Sequence, residues 1–154
     1  MQEELSILLH VIIASFLSGL IGFEREKVDK PAGIRTNMLV GGGVALLVSL
    51  GKIIVEDYNQ SGLSEFISAD PTRVIQAIIV GISFIGAGIV LQIEKAYKIK
   101  YLTTAATILF SSGIGISIAL QQYYLGVGVT VFILFVNYIM GWITSKTLKH
   151  HKNK

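Results

Sequence analysis

Apolar residues fall in five long runs, roughly Leu5 to Phe23, Thr36 to Val55, Val74 to Ile93, Leu102 to Leu120 and Tyr124 to Ile143, with short polar segments between them. A helix rising 1.5 Å per residue needs about 20 residues to cross the hydrocarbon core of a bilayer. Each run meets that length, so the pattern predicts an all-α membrane protein, a bundle of about five transmembrane helices. The second run is the least regular, because Gly41-Gly42-Gly43 weakens its helix propensity and Lys52 lies inside it. A lysine near a helix end reaches the interface with its long stem, which keeps this run in the count. The first run is expected to be a retained helix, since its leading Met-Gln-Glu-Glu is acidic and no small-x-small cleavage site precedes Glu24-Arg25-Glu26.

Composition agrees. Of 154 residues, 52% are hydrophobic and only 15% charged, and the mean hydropathy of +0.65 is well above a soluble domain's balance. One membrane domain, 1–145, uses almost the whole length and leaves 146–154 as a short basic tail. With no cysteine, disulfides and thiolate metal sites are excluded. The sequence pI of about 9.2 would point to nucleic acid only if the basic residues gathered on one solvated face. They sit between apolar runs instead, so the bilayer is the expected partner and nucleic acid is not.

The placement of those charges orients the chain. Arg25, Lys27, Lys30 and Arg35 follow the first run; Lys95, Lys98 and Lys100 follow the third; Lys146, Lys149, Lys152 and Lys154 follow the fifth. The alternate segments hold only Lys52 and Arg73, beside Glu56, Asp57, Glu65 and Asp70. The positive-inside rule then puts the N-terminus outside and the C-terminus in the cytoplasm. Tyr58, Tyr123 and Tyr124 fall at the outer interface of that frame, with Tyr97, Tyr101 and Trp142 at the inner one, as aromatic belts require.

Lipid gives apolar helices no reason to associate, so small residues and hydrogen bonds must hold the bundle. Ser15 with Gly19, Ser18 with Gly22 and Ala77 with Gly81 form small-xxx-small pairs, and Gly86, Gly88, Gly113 and Gly115 add further candidates for close helix packing. Asn137, Gln76 and Gln92 are expected to donate hydrogen bonds between helices. His10, with no second histidine in any run, reads as a satisfied core residue rather than a metal ligand. The first and second runs and the third and fourth also resemble each other as two hairpins, to which the fifth is added.

Two segments carry distinctive strings: GLIGFEREKVDKPAGIRTNML from Gly19 to Leu39, and DPTRVIQAIIVGISFIGAGIVLQ from Asp70 to Gln92, followed by KYLTTAATILFSSGIG from Lys100 to Gly115. In order and spacing they resemble the MgtC/SapB family of bacterial inner-membrane proteins. Asn37 stands where many members carry histidine, and Tyr101 where glycine is common before Leu-Thr-Thr. Many members continue into a soluble cytoplasmic domain, whereas this sequence ends at KHHKNK. The resemblance implies a multi-pass protein of the bacterial inner (plasma) membrane associated with growth in low magnesium, survival inside host cells and modulation of the proton-driven ATP synthase. It implies no cofactor.

Two sites are expected. Glu24, Arg25, Arg35, Glu94, Thr103 and Thr104 lie at the cytoplasmic ends of the helices that carry the family strings. If those ends meet, they form one polar cluster for a ligand or partner; otherwise they are ordinary solvated helix ends. Asp70 and Arg73 mark an outer-face candidate, where Asp70 with Glu65, Asp57 and Glu56 would meet a hydrated divalent cation. The competing reading of Asp70-Pro71-Thr72-Arg73 is structural, for Asp is a good N-cap and Pro suits the first helical position. No particular metal is assigned.

Three function classes follow. A regulatory protein acting through helix contacts, as a homo-oligomer or with another membrane complex, fits best. A magnesium or proton transporter or channel is disfavoured because the middle of every span lacks Asp, Glu, Lys and Arg, and five helices would need an oligomer to form a pore. An enzyme is not expected, since there is no HExxH helix, no pair of intramembrane aspartates and no serine with a histidine partner.

Overall fold

The computed structural model describes residues 2–60, 70–91 and 101–151. Five helices account for nearly all of them: α1 (Gln2–Lys27), α2 (Ile34–Gln60), α3 (Pro71–Leu91), α4 (Leu102–Ala119) and α5 (Tyr123–His151). There is no strand among the described residues, and each helix is long and apolar enough to cross a bilayer. The helices overrun the apolar runs where polar residues still favour helix. α1 begins with Glu3 and Glu4 in its first turn and closes on Arg25 and Lys27 in its last, both complementing the helix dipole. α5 continues through Lys146 to His151, so the segment expected as a tail is helical over most of its length.

α4 is the hub, packing against all four other helices. α1, α2 and α4 form a mutually packed triad; α3 lies on α2 and α4, α5 lies on α1 and α4, and α3 and α5 do not touch among the described residues. The core is drawn from facing stripes: Ala14, Leu17 and Ile21 of α1, Val44, Ala45 and Val48 of α2, and Ile108, Ile114 and Ile118 of α4. Large apolar residues such as Phe16, Leu39, Phe84 and Phe132 point outward. In water such a surface would aggregate; in hydrocarbon it is the solvated face.

The glycine triplet that weakened the second run is where its helix is held most closely. A Cβ on Gly41 would overlap Ser18, and one on Gly42 would overlap Ser15, so the small residues of α1 let the two backbones approach. Gly19 packs on Met38 and Gly86 on Ala105, while a Cβ on Gly115 would run into the backbone carbonyl of Gly41. The expectation fails at Gly81, Gly88 and Gly113, where a Cβ would meet nothing within 4 Å. Sequence spacing marked them as small but not which way each faces.

The α1–α2 turn is the tightest joint. The Lys30 N–H donates to the Arg25 carbonyl at 3.1 Å, Asp29 and Ala32 take left-handed φ values of 50° and 57°, and the chain returns against Gly22. A Cβ on Gly22 would lie 2.6 Å from the Gly33 carbonyl oxygen, so only glycine allows this turn to close on α1. At the other end, Gln121 with φ 61° and a 2.8 Å bond from the Gln122 N–H to the Ser117 carbonyl reverse the chain from α4 into α5.

Candidate functional site

The end of the bundle that holds the α1–α2 turn and the start of α4 carries Lys27, Lys30 and Arg35 and is called here the basic end. Arg25, in the last turn of α1, is only 1% exposed. Its Nη2 donates to the Thr104 hydroxyl at 2.6 Å and more weakly to that of Thr103 at 3.4 Å, which joins the end of α1 to the start of α4. Its Nε has no hydrogen-bond partner among the described residues. That nitrogen is buried with the rest of the guanidinium, so among the described residues it is an unmet donor inside the bundle.

Neighbouring polar groups are fixed by their own partners. Asn137 of α5 donates to the Glu24 carboxylate at 2.7 Å, so it is an interhelical donor as expected. The Glu26 carboxylate accepts the Ile34 N–H at 3.0 Å and caps α2. Deeper, the Asn37 amide donates to the carbonyls of Ala32 and Gly33 at 2.6 and 3.0 Å, and its oxygen accepts the Ser111 hydroxyl at 2.7 Å. The Ser18 hydroxyl in turn reaches the Ser111 carbonyl at 3.4 Å. A buried polar seam thus runs between α1, α2 and α4. Each bond matters, because an unmade bond from a buried polar group costs about 1–3 kcal/mol.

The structure therefore brings Arg25, Thr103 and Thr104 together and places Glu24 beside them on Asn137. Arg35 does not join: it is exposed on the first turn of α2. Glu94 and Gln92 lie outside the described residues, as does Glu65. Gln76 is exposed, and its side chain makes no hydrogen bond among the described residues. Sequence reading missed Asn37 and Ser111 as partners; the signal available was a lone amide two residues after Arg35 and a Ser-Ser pair in mid-helix.

At the opposite end, His10 is buried and shares a 2.8 Å hydrogen bond with the Tyr123 hydroxyl, tying α1 to α5. Beside it lies a polar cavity of about 240 Å³ whose walls are Glu3, Ser6 and His10 of α1 and Ser49, Lys52 and Glu56 of α2. The hydroxyl of buried Ser49 has no partner among the described residues, and Lys52 pairs with Glu56 at 3.8 Å. Both wall sets follow the i, i+3, i+7 spacing of one helix face, a pattern present in the sequence.

Asp70 is an N-cap. Its Oδ1 accepts the Thr72 hydroxyl at 2.6 Å and the Thr72 N–H at 2.9 Å. The Thr72 hydroxyl first, then its N–H, hold the Asp70 carboxyl below the usual carboxylate range; nearby Arg73 acts the same way and slight desolvation opposes it. Among the described residues no group of three or more His, Cys, Asp or Glu is placed to hold a metal ion.

These features define a multi-pass helical membrane protein with a buried arginine site at one end and a polar cavity at the other. The MgtC family model matches residues 11–146. The chain belongs to the MgtC family. It is 33% identical over 141 residues to YhiD of Escherichia coli (strain K12), whose given name marks magnesium transport as a proposed role; the match covers 92% of this chain and 63% of that protein. Protein MgtC of Brucella abortus (strain 2308) is 35% identical over 127 residues, 82% of this chain and 48% of that protein. Protein MgtC of Salmonella typhimurium (strain 14028s / SGSC 2262) is 32% identical over 133 residues, 86% and 52% of the two chains. The chain thus spans about half to two thirds of the length of these relatives. No solved structure matches it.

Proposed function

We propose that this chain is a regulatory protein of the bacterial inner membrane that acts through contacts with itself or with another membrane complex and serves adaptation to low magnesium or stress. The observation that supports this reading is the closed polar centre. Ser18, Ser111 and Asn37 satisfy one another and the α1–α2 turn across the triad, and the middle of every span lacks an Asp, Glu, Lys or Arg that could relay an ion. On this reading a partner contacts the rim of the Arg25 cluster from the cytoplasm, where Glu24 is partly exposed, while Arg25 itself stays buried. The test is flux through the purified protein in liposomes under magnesium and proton gradients. Flux no greater than in protein-free liposomes is expected; saturable flux overturns the proposal.

The second reading, an ion pathway formed by an oligomer, draws on one specific feature. The polar cavity beside Ser49 and His10 opens at the end opposite Arg25, which is how an entry site would be arranged, and the name given to YhiD points the same way. The same flux measurement separates the two.

A further inference from the structure

An apolar groove of about 680 Å³ runs between α2 and α3. Leu47 and Ile54 of α2 and Ala77 and Ile82 of α3 line it, Gly81 forms part of its wall, and Arg73 stands at its mouth. Three observations bear on what fills it. Its volume lies within the roughly 300–1,000 Å³ of sites that enclose small ligands. Along α3 it extends from Arg73 to Ile82, about 14 Å at helical rise, which is close to half of the ~30 Å hydrocarbon core, or one leaflet. Among the described residues its single charged lining residue is an arginine at the membrane-boundary end, on the turn where Asp70 caps the helix and Pro71 begins it.

We propose that this groove is a phospholipid site: one acyl chain lies along α2 and α3 within the leaflet nearer the α4–α5 turn, and the lipid phosphate rests on the Arg73 guanidinium. Each part of the ligand answers a part of the site. The acyl chain matches an apolar slot one leaflet deep, and the guanidinium fork matches phosphate oxygens in a way an ammonium does not. The apolar face of a helix from a second copy would fill the slot but bring no anion to Arg73. Gly81 keeps the slot open, since a Cβ there meets nothing within 4 Å and projects into free space. The site is separate from the Arg25 cluster and stands whether or not the regulatory reading holds.

The full chain, purified in mild detergent, is examined by native mass spectrometry with phosphatidylglycerol or diacylglycerol added as probes. One phosphatidylglycerol per chain is expected, retained roughly tenfold more strongly than diacylglycerol, the factor that one charge-assisted hydrogen bond supplies. Arg73→Gln should erase that preference, and Gly81→Leu should displace both lipids at an unchanged melting temperature. Arg73 is exposed, so its substitution does not threaten folding. Equal retention of both lipids by the wild type, or equal phosphatidylglycerol on all three proteins, overturns the proposal. So does a wild-type dimer that carries no lipid and that Gly81→Leu dissociates, because a second copy would then be the occupant.

Discussion

Arg25 and Thr104 meet 2.6 Å apart at the α1–α4 crossing, and the arginine is almost fully enclosed. A buried charge is costly unless hydrogen-bonded, and the two threonine hydroxyls are the acceptors for Nη2. Thr104→Val should therefore lower stability by about 1.5–3 kcal/mol, the range for a bond to a charged group. Arg25→Lys should cost a similar amount, because the lysine side chain is one atom shorter and does not carry its ammonium as far as the threonine hydroxyls that Nη2 reaches. In a double-mutant cycle the two losses should couple by roughly 1 kcal/mol or more. Additive effects in detergent melting would show that the contact contributes nothing on its own.

If the Arg25 cluster carries the activity, folded variants at its rim should separate stability from function. Glu24→Gln keeps the acceptor for Asn137 and should leave melting nearly unchanged while reducing support of growth in low magnesium. Arg35→Lys, on an exposed side chain outside the cluster, should change neither. Loss of growth support with Arg35→Lys alone would move the site to the first turn of α2.

Asp70 gives a pH dependence whose sign is fixed by its bonds. The folded carboxyl has a depressed pKa, so its capping stabilises α3 fully above the ordinary carboxylate value of about 3.9 and is lost as pH falls through the lower folded value. Asp70→Asn keeps a capping oxygen and should flatten the acid limb of the melting curve; Asp70→Ala should lower melting at neutral pH as well. The side chain is exposed, so the effects are small. An unchanged acid limb in Asp70→Asn would assign it to other carboxylates.

The chain has no cysteine, so single cysteines report topology directly. Lys30→Cys should be protected from an impermeant thiol reagent in intact cells and Gln122→Cys should be labelled, because the basic residues gather at the turn that contains Lys30. The reverse pattern would invert the bundle and put the Arg25 site outside.

The five spans were legible because a bilayer imposes a length and a hydropathy that any sequence displays. Asp70 as a cap was legible for the same kind of reason, as its partner is two residues away. Partnerships between distant helices were not. Arg25 and Arg35 look equivalent in sequence, both basic and both near a turn, yet one points into the α1–α4 crossing and the other away from it. Rotation about a helix axis decides this, and an apolar run in lipid has little amphipathic stripe to reveal it. The polar cavity at the other end was not legible, because its walls are one face of α1 and one face of α2, and nothing in the sequence says that Glu3 and Glu56 face each other.

The same rotation sorts the glycines. Gly115→Leu and Gly22→Leu should lower stability by about 1–3 kcal/mol or more, since each pushes a side chain into backbone. Gly88→Leu and Gly113→Leu should melt like the wild type as single chains, since open space lies beyond both. If Gly88→Leu alone breaks an oligomer without changing monomer melting, that face of α3 is the contact surface between copies. Leucine is the better helix former, so similar loss in all four variants would mean that the faces carrying Gly88 and Gly113 are packed as closely as those carrying Gly22 and Gly115.

Tyr101 offers the sharpest separation of backbone from side chain. It precedes α4 with φ 64° and ψ 16°, a left-handed conformation, and makes no side-chain cap bond. Its carbonyl accepts the N–H groups of Thr104 and Ala105 at 2.9 and 3.0 Å, so the strained residue starts the helix that carries the Arg25 partners. A left-handed non-glycine residue costs about 1–2 kcal/mol, and glycine removes that cost while giving back about 0.5–1 kcal/mol of chain entropy. Tyr101→Gly should therefore stabilise by about 0.5–1 kcal/mol, Tyr101→Asn should be close to neutral, and Tyr101→Val should destabilise because a β-branched side chain resists positive φ most. The position fits this arithmetic, for it is where the family resemblance places glycine. The opposing contribution is the ring, which is 44% exposed and sits where an aromatic belt would anchor the helix. Melting of the four proteins in lipid nanodiscs ranks the two effects. A glycine variant less stable than the wild type would mean that interfacial anchoring by the ring outweighs the strain of the turn.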